Sequence, residues 1–380
     1  MTQKFQVTPW EVTGIVDYDK LIEEFGTERI TSELLKEIAS ITGELHPLLR
    51  RGFFFSHRDM PRVLEAYKKG DGFFLYTGRG PTGHMHIGHL IPFLFVKWLQ
   101  DKFKAPVIIQ ITDDEKFLYK EEFTLETTRK YSFENTCDII ACGFNPDLTF
   151  IFQDSEYTNF YPLAVKIAKK ITLSTVKAVF GFKNETNIGL IFFPAVQAMP
   201  CFLLEKQCLI PAAIDQDPYW RIQRDIAPKL GYPKTAAIHS KFLPGLEGPT
   251  GKMSASKEQT AIYLTDKPET IRKKIIKYAF TGGQPSIVEQ KEKGGNPNIC
   301  TVFQWLNTLL EDDDAKIKNR ENMCLSGKLI CGECKNYLVE KLTNFLIEHQ
   351  QRRQEAKNKI DSFKYTGTLA REMWNKKWEF

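Results

Sequence analysis

From Phe73 onward, short continuous apolar runs alternate with stretches of helical period, the pattern of a parallel sheet with crossover helices. Phe73–Thr77 is the first run, followed by a glycine-rich turn over Gly78–Gly83 and a helix from His86 to about Gln100. Further strands are expected at Val107–Thr112, Thr149–Phe152, Cys208–Ile214 and Ala236–His239. Pro211 has no N–H to give a ladder, so it belongs at a strand end, an edge or a bulge. Beyond Asp266 the pattern turns helical, with helices at Lys267–Phe280, Val302–Leu310 and Leu338–Lys359. Residues 1–70 read as an appended segment, with a β-rich start at Phe5–Val7 and amphipathic stretches at Asp19–Phe25 and Ser32–Thr42. The expected organisation is therefore that segment, an α/β unit with a doubly wound parallel sheet over 71–266, and a helical unit over 267–380.

The 380 residues exceed one domain of ~100–200 residues. With 42% hydrophobic and 26% charged residues the chain can bury a core, which excludes a disordered or fibrous class. The longest apolar stretch, Gly189–Leu204, is interrupted by Pro194, Gln197 and Pro200 and falls short of the ~20 residues of a membrane span. Met1–Gln6 has no basic stretch leading into an apolar one, so no signal peptide is expected. Eight cysteines at irregular spacing describe no disulfide framework, and a soluble intracellular protein is expected. The net charge of +5 is unevenly spread: residues 267–380 hold 21 Lys and Arg against 15 Asp and Glu, the rest 31 against 32. A polyanion-facing helical unit accounts for that excess, and so does a solvated helical surface.

Candidate chemistry begins at the first glycine-rich turn. Gly78-Arg79-Gly80-Pro81-Thr82-Gly83 fits the Gly-x-Gly-x-x-Gly dinucleotide fingerprint. A nicotinamide-dependent oxidoreductase remains one reading, although Asp113 and Asp114 lie ~30 residues on where ~20 is usual. The next string, His86-Ile87-Gly88-His89, opens a helix, where unpaired N–H groups and the positive dipole end favour a phosphate. Gly88 leaves the backbone bare for a flat group such as adenine. Far downstream, Gly251-Lys252-Met253-Ser254-Ala255-Ser256-Lys257 is a small-residue loop able to carry an ammonium and two hydroxyls onto phosphates. Each string alone equally describes an ordinary surface turn; together they describe a site for a nucleoside triphosphate. Cys331-Gly332-Glu333-Cys334, with Cys324 upstream, lacks a second pair to complete four ligands, so no metal site is expected.

On these two strings the chain resembles the class I aminoacyl-tRNA synthetases, whose signatures read His-Ile-Gly-His and Lys-Met-Ser-Lys-Ser. Ala255 stands where the general pattern has a second lysine, as in the eukaryotic tryptophanyl enzymes. Three further segments, Thr112–Lys116, Ala213–Arg221 and Arg51–Met60, are similar to the tryptophanyl-tRNA synthetases of eukaryotic and archaeal type. The Pro81–His86 loop is one residue shorter than in animal enzymes. The resemblance, from about Pro9 to the Gln350–Lys357 helix, implies a Rossmann-like catalytic domain and a C-terminal helical anticodon-binding domain. It implies activation of L-tryptophan by ATP with Mg2+, then transfer to tRNA(Trp), by a cytoplasmic homodimer with no membrane partner. His86, His89, Lys252, Ser254 and Ser256 would then be catalytic, and Gly78, Arg79, Gly80, Gly88 and Met253 would join them in holding ATP. Tyr76 and Gln110 would meet the indole N–H, while Glu115, Gln197 and Gln216 hold the α-ammonium with Thr112 and Lys116 beside them. Arg352 and Arg353 are the candidates for tRNA. A catalytically silent relative serving as a binding module is the remaining alternative.

Overall fold

The computed structural model describes residues 6–7, 12–14, 16–250, 253 and 258–379. Two short strands, β1 (Gln6–Val7) and β2 (Val12–Thr13), form an antiparallel ribbon. The main sheet holds β3 (Glu28–Arg29), β4 (Phe54–Arg58), β5 (Phe73–Arg79), β6 (Val107–Ile111), β7 (Thr149–Gln153), β8 (Gln207–Ala213) and β9 (Ala236–Ser240). Their order is β3-β4-β9-β8-β5-β6-β7. The five strands from β9 to β7 are parallel, and β4 and β3 add an antiparallel edge. Both faces of the parallel part are covered, which is why its strands read as unbroken apolar runs. Leu75, Val107, Ile109 and Ile151 face one core with the helix Ile87–Phe103, while Phe74, Tyr76, Ile108, Phe150 and Phe152 face the other.

The chain winds outward from β5 in both directions, so β5 and β8 flank the point where strand order reverses. β5 pairs with β8 from Phe73 and Gln207 only as far as Leu75 and Leu209, whereas β8 stays on β9 as far as Ala213. A crevice opens beyond Leu209, where a doubly wound sheet takes its ligand. Pro211 lies past the last β5 pair, on a stretch bonded from one side only, so its missing N–H is tolerated.

The sheet extends further than the apolar runs suggest. Gly78 and Arg79 still pair with Gln110 and Ile111, so the glycine-rich turn starts two residues later than expected. Residues 28–58, inside the stretch read as an appendage, supply β3 and β4 to this same sheet. Their Arg50 and Arg51 also reach the C-terminal helices, pairing with Asp314 at 2.7 and 2.5 Å. Beyond 266 the helices Pro268–Tyr278, Thr301–Trp305, Asp314–Leu325 and Cys331–Ala356 form, with a π-helical turn at Leu306–Leu310. The helix Thr368–Asn375 then returns across the 266 boundary. Its Leu369, Ala370 and Met373 are buried in the same cluster as Phe150, Phe152 and Tyr157. The Tyr157 hydroxyl donates to the Met373 carbonyl at 2.9 Å, and Asn159 Nδ2 donates to that of Trp374 at 2.7 Å. No described helix is long and apolar enough to cross a membrane.

Candidate active site

The crevice at the strand switch is a cleft of about 510 Å³ whose walls include Tyr76, Gly78, Arg79, Gly80, His86, Gly88 and His89. Thr112, Glu115, Lys116, Gln197, Gln216 and Met253 line it as well. Residues scattered over 178 positions of sequence thus meet in one place, most of them at C-terminal strand ends or on the elements that follow. Of the expected site residues within the described structure, Gln110 and the two arginines are those outside these walls.

At the start of the helix Ile87–Phe103, His86 occupies the N-cap position and His89 the third helical one. The backbone N–H of His86 donates to His89 Nδ1 at 3.1 Å, which leaves the ring proton on Nε2. The two rings stack with centroids 3.5 Å apart. A side chain at position 88 would have its Cβ 3.2 Å from the His86 ring and 3.9 Å from Met253 Cβ, so glycine keeps this turn open. Met253, only 6% exposed, brings the second signature string against the first. The chain following that string is fastened there too: Ile87 N–H donates to Ile262 O and Leu264 N–H to Met85 O, each at 3.0 Å. Lys252, Ser254 and Ser256 lie outside the described residues.

Beside the glycine-rich turn, Arg79 Nε donates to Asn135 Oδ1 at 3.0 Å, and Asn135 Nδ2 donates to Gly83 O at 2.9 Å. Burial lowers the Arg79 pKa to about 10, and its buried Nη2 has no hydrogen-bond partner within the described structure. A cation on the cleft wall with an unspent donor suits an anionic ligand. Opposite it, Lys116 Nζ contacts Glu115 at 2.7 Å and Thr112 Oγ1 donates to Glu115 Oε2 at 3.0 Å. Gly80 allows this approach, since a Cβ there would stand 2.1 Å from Lys116 Cε. Gln197 Oε1, also buried, has no partner within the described structure.

The deep end of the cleft is aromatic. Trp220 meets the Tyr76 ring edge-on, with centroids 5.6 Å apart at 82°, and Tyr219 adjoins it. Burial pushes the Tyr76 hydroxyl well above its usual pKa, keeping it protonated. That hydroxyl donates to Gln110 Oε1 at 2.5 Å. Gln110 itself is fully buried behind Tyr76, so it acts on the cleft through the tyrosine.

A family model described as tRNA synthetases class I (W and Y) matches residues 68–347, spanning this cleft and most of the helical region. The chain belongs to that family. It is 60% identical over 377 residues to a tryptophan–tRNA ligase of Pyrococcus abyssi, covering 99% of this chain and 98% of the relative. A tryptophan–tRNA ligase of Sulfurisphaera tokodaii is 60% identical over 378 residues, covering 99% of each. Among solved structures, a product-bound parasite tRNA synthetase superposes with a TM-score of 0.91 at 41% identity, covering 95% of this chain and 100% of that one. The tryptophanyl-tRNA synthetase of Aeropyrum pernix gives 0.84 at 31% identity, covering 91% and 96%.

Within this class I synthetase fold, Arg353 requires a correction. Its side chain is buried, with Nε 2.8 Å from Asp138 Oδ1 and Nη2 bonded to Glu134. The guanidinium fastens the long C-terminal helix to the helix Leu125–Ile140 and is not presented to RNA. Arg352 Nε is bonded to the Ala141 carbonyl at 2.9 Å, although its side chain remains 44% exposed. Arg272, Lys273 and Lys277 on the helix Pro268–Tyr278 are exposed.

Three residues outside the expected site shape it. Asp154 follows β7 directly and bonds Gln110; a carboxylate at a parallel strand's C-terminal end was a usable signal. Arg58 and Asp217, from two of the strings that carry the resemblance, form a bidentate pair at 2.6 and 2.9 Å. Burial alone would raise the Asp217 pKa, but Arg58 and His239 overcome it and hold the carboxyl well below the usual range. Cys300 joins the other C-terminal cysteines: burial raises the Cys324 pKa first, and Cys300 and Cys331 add to it. Among the described residues no group of three or more His, Cys, Asp or Glu is arranged to hold a metal ion.

Proposed function

We propose that this cleft joins L-tryptophan to ATP, with the Mg2+ that accompanies the nucleotide, to give tryptophanyl-adenylate and pyrophosphate. The tryptophanyl group then passes to tRNA(Trp). The observation that carries the reading is the meeting of the His86–His89 helix start and Met253 at a strand switch whose other end is an aromatic slot. Attack of the amino acid carboxylate on the α-phosphate builds negative charge, and catalysis requires donors that converge there. His86, His89 and the helix N-terminus supply one side, with Arg79 near the glycine-rich turn. Lys252, Ser254 and Ser256 supply the other from the second signature string. Glu115 and Gln197 offer acceptors to the α-ammonium, with Gln216, Thr112 and Lys116 beside them.

Selection of tryptophan needs a partner for the ring N–H at the slot's end, because a buried acceptor left unpaired penalises phenylalanine. The Tyr76 hydroxyl, backed by Gln110, is that partner. The tRNA is met by the positive region beyond 266, with Arg272, Lys273 and Lys277 in place of Arg353. The active species is a cytoplasmic homodimer. ATP–pyrophosphate exchange assayed with each of the twenty amino acids tests the reading. Exchange with tryptophan is expected; exchange with tyrosine alone, or with none, overturns it.

A further inference from the structure

Behind the aromatic slot lies a buried hydrogen-bond chain whose direction is set at its far end. Asp154 is 3% exposed, and its backbone N–H is tied to the Ile111 carbonyl at 3.1 Å, which holds its main chain at the end of β7. Gln110 Nε2 donates to Asp154 Oδ1 at 2.8 Å and Oδ2 at 3.0 Å, and faces the Val196 carbonyl at 3.5 Å. Three acceptor oxygens surround that edge of the carboxamide, so it must be the NH2 edge; the flipped amide would put oxygen against oxygen. The other edge, Oε1, then faces Tyr76 and takes its hydroxyl proton. A phenol that donates backward keeps a lone pair for the cleft. Its alternative acceptor, the Gln197 carbonyl, is 3.4 Å away and correspondingly weaker.

Asp114 secures the arrangement. Burial drives the Asp154 carboxyl well above the usual range, with the Asp114 charge adding to it, and burial raises Asp114 to about 6. A carboxyl proton held between the two acids would leave the remaining lone pairs of Asp154 for Gln110. Asp113 adds its charge to both acids but is itself bonded to the Ser155 backbone and hydroxyl at 3.1 and 2.5 Å.

We infer that Asp154 is a positioning residue for amino acid selection. It fixes the direction of the Asp154–Gln110–Tyr76 chain and thereby makes the Tyr76 hydroxyl an acceptor for an aromatic ring N–H. The inference rests on the assignment of the slot to tryptophan. The readout is the ratio of kcat/KM in pyrophosphate exchange for tryptophan and for its benzothiophene analogue, in which sulfur replaces the ring N–H.

Asp154→Asn can offer its own NH2 to Gln110 and so permits the reversed chain. The ratio is expected to fall tenfold or more, with kcat/KM for the analogue and KM for ATP within twofold of the parent. The swap Gln110→Glu with Asp154→Asn keeps the charge and restores the direction, since the introduced carboxylate accepts from both neighbours. Its ratio is expected within threefold of the parent, and this holds as the test should Asp154→Asn fail to fold. Tyr76→Phe reads the underlying assignment, because it removes the acceptor itself. If Tyr76→Phe abolishes the preference while Asp154→Asn preserves it, the inference falls and the slot assignment stands. If neither changes the ratio, the slot assignment falls. Equal losses for both substrates, unrelieved by the swap, would make Asp154 a packing residue and overturn the inference.

Discussion

At Gly80 a single absent methyl group keeps Lys116 against Glu115. Gly80→Ala would place its Cβ 2.1 Å from Lys116 Cε, and the flexible end of the lysine would have to leave. The expected result is a rise of about tenfold in KM for tryptophan, worth about 1.4 kcal/mol, in exchange kinetics. The melting temperature should hardly move, because the displaced atoms are side-chain ends at a cleft wall. His46 offers a different test, through pH. It caps the helix Pro47–Arg50 by accepting the Leu48 N–H on Nδ1 at 3.1 Å, and it packs edge-on against Phe95 and Trp98. Burial, then the charge of Arg50, lowers its pKa from 6.5 to about 4. Between pH 6.5 and 4 the unfolded chain takes up a proton that the folded chain refuses, so this contribution is complete above pH 6.5 and is lost as pH falls. His46→Asn keeps a capping acceptor and removes the titration. Urea midpoints measured from pH 4 to 7 should therefore fall less steeply in the variant than in the parent.

The strands of the parallel sheet were legible because burial on both faces leaves few polar positions, Gln110 alone in Val107–Ile111 and none in Phe150–Phe152. The helix Leu125–Ile140 was not, because its buried side carries Thr128, Ser132, Asn135, Thr136 and Asp138 among its apolar residues; Asn135 serves Arg79, and Asp138 serves His349 and Arg353. The two π-helical stretches, Leu306–Leu310 and Ser362–Thr366, shift the helical period and so blur it. β4 was missed because its pairing partner, β9, lies about 180 residues away, and only tertiary contact reveals it. Of the candidate site, the residues on strand ends and the helix start line one cleft, while Asp154 gave no motif. The Arg58–Asp217 pair shows how elements are joined. Asp217 opens the helix Asp217–Ile226 and is fully buried, bonding Arg58 of β4, Arg221 at 2.9 Å and His239 of β9 at 3.4 Å. Asp217→Asn would leave the largely buried Arg58 charge without its carboxylate, and a loss of about 3 kcal/mol is expected from urea denaturation. Because that helix carries Tyr219 and Trp220, tryptophan affinity should fall with it.

Over the whole molecule, catalytic and helical parts share ion pairs that a division near residue 266 would cut. Arg353→Ala breaks the buried link to Glu134 and Asp138, so pyrophosphate exchange and tRNA charging are expected to fall together. A lower urea midpoint, by about 3–5 kcal/mol of stability, should accompany them. Arg272→Glu with Lys273→Glu changes only exposed side chains. Charging should weaken and its salt dependence flatten, since fewer phosphate counterions are released, while exchange and the urea midpoint stay near the parent's. If exchange fell in step with charging for this second pair, those residues would be supporting the fold. The excess charge beyond 266 was visible in composition, but which arginines face solvent was not, since Arg353 and Arg352 are neighbours with opposite surroundings.

The return of Thr368–Asn375 to β7 also orders events during translation. Phe150, Phe152 and Tyr157 are synthesised more than two hundred residues before Leu369 and Met373, the side chains that share their cluster. As the nascent chain leaves the ribosome, the part of this apolar surface that Leu369, Ala370 and Met373 cover stays open on a sheet whose other strands have already emerged, a state prone to aggregation. A premature stop after Thr366 would therefore silence a cleft while leaving every residue of its walls in place.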